Sequence, residues 1–260
     1  FTMRWWKRKM PSIRKEADIR KKYTVPDLRY VAGHSIGIIA VDLKYPKLPG
    51  NVVNATTYRF PVLYKKVTFQ IEQLFTGDPA LKEMIIDAAK ELEKEGVRAV
   101  VGACGFFANF QKEVADALEI PAFLSSMVQL PMIKTGLKSG KKIGIITASG
   151  NDITDQMLIQ MGVQPEDCYI EDIGSLEGFK TIRYEYPYLD NESIADTVVG
   201  AAEKLVREHD DVGAILLECS DIPPYAYMVQ DAVNLPVFDF ITMINWAHQA
   251  TTQQPYLGYF

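Results

Sequence analysis

Val100-Val101-Gly102-Ala103-Cys104-Gly105 and Ile215-Leu216-Leu217-Glu218-Cys219-Ser220 decide the reading of the fold. In each, a short apolar run ends at a cysteine, as a buried parallel strand would end at its C-terminal edge. Each leads through a helix-like stretch to a second strand opened by proline, Ile120-Pro121-Ala122-Phe123 and Leu235-Pro236-Val237-Phe238. The proline stands seventeen positions after the cysteine in both cases. Upstream, Ile36-Gly37-Ile38-Ile39 recurs as Ile143-Gly144-Ile145-Ile146. The chain thus reads as two α/β lobes of one plan, each presenting a thiol at a strand end.

Working outward, Ser35 to Val41 is the first strand, followed by a loop from Asp42 to Asn54 rich in Pro, Gly and Asn. A structureless loop of that length is more often functional than not. Phe60 to Tyr64 reads as a strand. Asp78 caps a predicted helix from Pro79 to Glu95, with Gly96 just past its end. Val97 to Ala103, a helix over Asn109 to Leu118 and a strand over Pro121 to Leu124 complete the first lobe. In the second, Lys141 to Thr147, Val212 to Leu217 and Val237 to Phe240 are strands. Asp155 to Met161, a long stretch from Asp190 or Asn191 through Val206, and Thr242 to Ala250 are helices. Alternation of this kind implies parallel sheets with right-handed crossovers, which bind ligands beyond the carboxyl ends of their strands. The expected division is a basic arm (1–30), a first lobe (31–135, joined by 241–260) and a second lobe (136–240).

Apolar content of 48% and charged content of 23% fit an ordinary globular protein. The net charge of −5 argues against nucleic acid as the main partner. No stretch suits a membrane span or a signal peptide, so the expected location is cytoplasmic, with no membrane partner. Met3 reads as the natural start. Residues 1–25 carry nine Lys and Arg against Glu16 and Asp18. That arm suits a subunit contact or a mobile extension better than a lipid tether. The three cysteines, Cys104, Cys168 and Cys219, show no metal-ligand spacing, and His34, His209 and His248 are scattered. No metal site is expected. Cys168 has no counterpart in the first lobe and reads as structural.

A lone cysteine after an apolar strand usually just packs. Matching thiols in two lobes suggest more. If the lobes face one another, the sulfurs flank one ligand, a geometry suited to proton removal from one face of a carbon and delivery to the other. Helices starting after each cysteine would lower its pKa and hold a substrate carboxylate on free N–H groups. A redox disulfide, a single nucleophilic cysteine and a non-catalytic small-acid binding protein are the competing readings.

Gly102-Ala103-Cys104-Gly105-Phe106, Glu218-Cys219-Ser220-Asp221 and the repeated Ile-Gly-Ile-Ile resemble the aspartate/glutamate racemase superfamily. That superfamily includes glutamate, aspartate and hydantoin racemases, maleate isomerases and arylmalonate decarboxylases. The resemblance spans about residues 35 to 250. It implies two flavodoxin-like lobes, no organic cofactor and no metal, two-cysteine acid/base chemistry by Cys104 and Cys219, and a homo-oligomer, commonly a dimer. Gly105-Phe106 and Ser220-Asp221 stand where the amino-acid racemases usually carry Asn-Thr or Thr-type residues for substrate.

Further contacts are expected at strand ends and in the long loop. Ser125 and Ser126 suit a carboxylate ligand or a helix cap. Thr147 and Ser149 suit ligand contacts or turn formation. Asn54 and Thr57 can reach over the site, and Arg59 suits a distal carboxylate or the solvent. Gly105, Phe106 and Ser220 complete the set. Asp221 can orient an amine or cap a helix, and its charge would raise the neighbouring thiol's pKa. The function expected from all this is a cofactor-independent racemase or epimerase of a small carboxylate such as aspartate or glutamate. Maleate-isomerase-like or hydantoin-racemase-like chemistry is the enzymatic alternative.

Overall fold

The computed structural model describes Lys22 and residues 31–259. Apart from Lys22, the basic arm over residues 1–25 lies outside them. The fold is α/β with two lobes, each built on a four-stranded parallel sheet flanked by helices. The first sheet holds β1 (Ile36–Val41), β2 (Val62–Val67), β3 (Ala99–Gly102) and β4 (Ala122–Phe123) in the order β2-β1-β3-β4. The second holds β5 (Lys142–Thr147), β6 (Cys168–Asp172), β7 (Val212–Leu217) and β8 (Val237–Phe238) in the order β6-β5-β7-β8. The matching orders express the sequence repeat.

The repeated glycine has a packing reason. A methyl at Gly37 would meet Leu92 at 3.1 Å, and one at Gly144 would meet Leu205 and Ile215 at 3.0 Å. Each glycine thus lets a helix lie close on the central strand of its sheet, Lys82–Lys94 in the first lobe and Asn191–Glu208 in the second. The helix starts follow their side chains. Asp78 accepts from Ala80 N at 2.9 Å and Asp190 from Ser193 N at 3.1 Å.

β8 stops at Phe238, because Asp239 caps and Phe240 opens the closing helix, and two edge strands also depart from expectation. β2 begins two residues later than Phe60 and runs on through Lys65 and Lys66, because it is an edge strand whose polar side chains reach Glu91 and Asp42. β6 is an edge strand that the polar Glu166-Asp167-Cys168 context conceals. Its first residue, Cys168, is buried and pairs with Ile143, and burial pushes its thiol up to about 12.

The closing helix Phe240–Thr251 returns to the first lobe. Phe240, Met243, Ile244 and Ala247 pack against Ile36, Ile38, Ala99 and Val101. Asp239 fixes its start, accepting from Thr242 N at 2.7 Å. Asp239→Ala is therefore expected to cost about 1–2 kcal/mol, read as a lower midpoint in denaturant unfolding. No helix among the described residues is long and apolar enough to cross a membrane.

Candidate active site

β3 and β7 are the interior strands that lead to the two cysteines. Both run apolar into the interior and stop two residues before their cysteines. Cys104 and Cys219 then line one cavity. Its walls are Leu43, Ile71, Phe75, Phe106, Phe179 and Ile182, and its polar groups include Arg183, Glu185, Glu218, Ser220 and Asp221. This mixture suits a small ligand with both apolar and charged parts.

Hydrogen bonds across the lobes fix the cavity floor. Ser220 Oγ donates to Ala103 O at 2.9 Å, and Ser126 Oγ to Leu217 O at 3.1 Å. Val52 N donates to Ser220 O at 3.3 Å. Asp221 is held from the first-lobe loop: Tyr45 Oη donates to its Oδ1 at 2.5 Å and Asn51 Nδ2 at 2.6 Å. The Cys219 thiol donates to the other oxygen, Oδ2, at 3.5 Å.

Both thiols lie well above their ordinary pKa. For Cys104 the causes are burial and then the Glu218 charge, opposed by the Phe106 N–H and more weakly by Arg183. For Cys219 they are burial, then Asp221 and Glu218, opposed by the Asp221 N–H. The expected lowering by helix N-termini is therefore outweighed. Gly105–Phe110 is a 3-10 helix that offers Cys104 one N–H, and the α-helix after Cys219 begins only at Ala226. Burial and neighbouring carboxylates dominate.

Glu218 is fully buried, and its carboxyl is pushed up to about 8 by burial and, more weakly, by the Asp221 charge. Thr147 Oγ1 donates to Oε2 at 2.9 Å, while Oε1 has no hydrogen-bond partner among the described residues. Gly105 makes room for it: a methyl there would fall 1.7 Å from Oε1.

Arg183 is the guanidinium at the cavity. It donates to Glu72 Oε1 at 3.0 Å and lies 4.7 Å from the centre of the Phe75 ring. Glu185 sits in the left-handed region at φ +53, held by Lys44 N at 2.6 Å. A bulky residue in that conformation carries strain of the kind that collects at binding sites.

Of the expected contacts, Gly105, Phe106 and Ser220 line the cavity with the cysteines. The others do not. Asn54 caps the turn Ala55–Thr57 and donates to Lys47 O. Thr57 donates to Asn51 O and accepts from Gly50 N. Both fasten the loop that carries Asn51 instead of covering a ligand. Ser125 caps Met127 N, and Ser126 spends its hydroxyl on the β7 carbonyl. Thr147 is fully buried against Glu218, and Ser149 bonds Asp152. Arg59 is exposed to solvent. Tyr45, Asn51, Arg183, Glu185 and Glu218 went unassigned in the sequence. Only Glu218 left a signal there, as an acid ending an apolar strand.

The fold is shared with solved racemases and a decarboxylase. Solved structures similar to it include unliganded arylmalonate decarboxylase (TM-score 0.56, 16% identity, 86% of this chain and 94% of the other). They also include aspartate racemase from Picrophilus torridus (0.53, 18%, 86% and 96%) and allantoin racemase from Pseudomonas fluorescens (0.56, 13%, 86% and 99%). Identity this low speaks to the fold alone. No family model matches the chain. Sequence relatives are more specific. A dimethylsulfoniopropionate lyase from Durusdinium sp. clade D is 31% identical over 98% of this chain and 83% of its own length. Dimethylsulfoniopropionate lyases 3 and 7 from Emiliania huxleyi (strain CCMP1516) are 32% and 31% identical over 88% and 86% of this chain, which spans 63% and 69% of them. The chain belongs to the dimethylsulfoniopropionate lyase family, a family of enzymes. That membership overturns the expectation of an amino-acid racemase or epimerase: the curated relatives carry a lyase name on a racemase fold. The physical reason is that two thiols at strand ends, even read as proton-transfer groups, leave open what would become of a carbanion. A leaving group on the substrate decides that.

Proposed function

We propose that the cavity takes dimethylsulfoniopropionate and eliminates dimethyl sulfide from it, leaving acrylate. The observation that carries this reading is the joint placement of two thiols, an arginine and an apolar wall in one cavity of a chain whose curated relatives are named for that substrate. The substrate is a zwitterion. Its carboxylate suits Arg183, and its dimethylsulfonium group suits the Phe75, Phe106 and Phe179 rings together with the Asp221 carboxylate.

Cys104 is the base in this scheme. The Phe106 N–H and Arg183 both favour its thiolate. Cys219 instead donates its proton to Asp221, which keeps it a thiol. The bound sulfonium charge, in a site shielded from water, offsets the burial that raises Cys104. The Cys104 thiolate takes a proton from the carbon beside the carboxylate. That C–H electron pair becomes the second bond of the alkene, and the C–S pair leaves with sulfur as neutral dimethyl sulfide. Acrylate keeps the negative charge, and the proton on Cys104 returns to solvent.

The test is dimethyl sulfide in the headspace above the chain and dimethylsulfoniopropionate, beside α-hydrogen exchange of aspartate and glutamate in deuterated water. Release of dimethyl sulfide without amino-acid exchange supports the reading; exchange without release refutes it. Arg183→Met is expected to raise KM by about 10–100-fold, the worth of a charged hydrogen bond, with a smaller change in kcat.

A further inference from the structure

Resting on the proposed elimination, we infer that Glu218 acts as a neutral acid whose Oε1 donates a hydrogen bond to the substrate carboxylate as the α-proton leaves. Four observations converge on it. The side chain is fully buried yet lines the cavity, so it faces ligand instead of bulk water. Thr147 occupies Oε2 as a donor, leaving Oε1 as the oxygen that carries the proton. Oε1 has no partner among the described residues, a costly state for a buried polar atom unless a ligand supplies one. Gly105, next to the base, has no side chain, and the carboxyl of Glu218 fills the space a methyl would need.

The chemistry demands such a donor. Removing a proton beside a carboxylate pushes a second negative charge onto its oxygens. Arg183 neutralises the first, and a carboxylic acid kept neutral by an apolar site can stabilise the second as it develops. The proton stays on Glu218 throughout, so the balance of the elimination is unchanged. Asp221, Cys104, Cys219, Arg183 and Glu185 are the titratable and charged groups sharing its cavity, with Tyr45 behind Asp221. The two thiols titrate above Glu218, and Asp221 raises it further.

The sign of the pH dependence follows. Below about pH 8 Glu218 is protonated, and log kcat/KM climbs with the growing thiolate fraction of Cys104. Above it each gain in thiolate is matched by a loss of the acid, so the profile levels. In Glu218→Gln, which keeps a neutral donor that does not titrate, the climb continues past pH 8. A second arm needs no turnover: carbon-13 NMR of protein labelled at glutamate carboxyls, with and without acrylate. We expect a resonance missing from Glu218→Gln that titrates near 8 and moves to higher pH with acrylate bound. A Glu218 midpoint near 4, no movement on acrylate binding, or a levelling retained in Glu218→Gln overturns the role. The arms separate the two claims. Wild-type protein that titrates as expected but releases no dimethyl sulfide would count against the reaction and leave the acid–carboxylate contact standing.

Discussion

Cys104→Ser is expected to release dimethyl sulfide about 10³-fold more slowly than the wild type at neutral pH, with its fold intact. The size follows from what a positioned general base contributes, about 10²–10⁴ in rate. A serine hydroxyl keeps the shape and the Phe106 N–H contact but ionises far less readily than a thiol. The same change at Cys219 is expected to be milder. Serine there still donates to Asp221, which is the task the geometry gives that residue. The asymmetry carries information. A racemase needs a base on each face of a carbon, so both substitutions would cripple it alike. Elimination needs one. Equal losses at both cysteines would show that Cys219 takes part in proton removal. Headspace gas chromatography of both variants, with circular dichroism for the fold, reads the result.

Gly105→Ala is the second large effect, and it strikes stability and rate together. The added methyl would sit 1.7 Å from Glu218 Oε1 and 2.6 Å from Glu218 O. Neither group has room to retreat, since the carboxyl is fixed by Thr147 and its backbone N–H donates to Ile146 O. Overpacking of this kind costs about 2 kcal/mol, a fall of about 4–8 °C in Tm for a domain of this size. The chain bearing Cys104 must shift as well, and displacement of a catalytic group by about 1 Å can cost about 10² in rate. Glu218→Ala in the same chain removes the nearer collision but leaves the carbonyl. It is therefore expected to recover part of the Tm and none of the rate. An alanine variant as stable and active as the wild type would mean that Gly105 and Glu218 are not packed as described.

Much of the fold was legible because it repeats. The Ile-Gly-Ile-Ile strands, the cysteine strands and the prolines before β4 and β8 recur at matching places, and buried parallel strands read as unbroken apolar runs. β6 was not legible, since an edge strand with Glu171 and Asp172 has no apolar run to show. The site was legible only where it sits on strand ends. Cys104, Gly105, Phe106, Cys219 and Ser220 follow β3 and β7 directly, so chain order places them. Arg183 and Phe179 come from the short helices Glu177–Phe179 and Lys180–Arg183, too brief for periodicity to reveal. The approach of Arg183 to Phe75 and Glu72 is set by how the lobes dock. The serines and threonines misled for a physical reason. At strand ends and turns a hydroxyl serves the backbone as readily as a ligand, and here Ser125, Ser126 and Thr57 are spent on it. The proposed substrate was the least legible part, because a thiol base would serve any reaction that begins with loss of a proton beside a carboxylate.

The fate of the α-hydrogens tests the central claim most directly. Dimethylsulfoniopropionate carrying two deuterons on the carbon beside the carboxylate is turned over, and acrylate and intact protein are weighed by mass spectrometry. Elimination predicts acrylate with one deuteron, dimethyl sulfide with none, and unmodified protein. A carboxyethyl adduct on Cys104 retaining both deuterons would contradict it, because the thiolate would then have attacked carbon and displaced the sulfide instead of taking a proton.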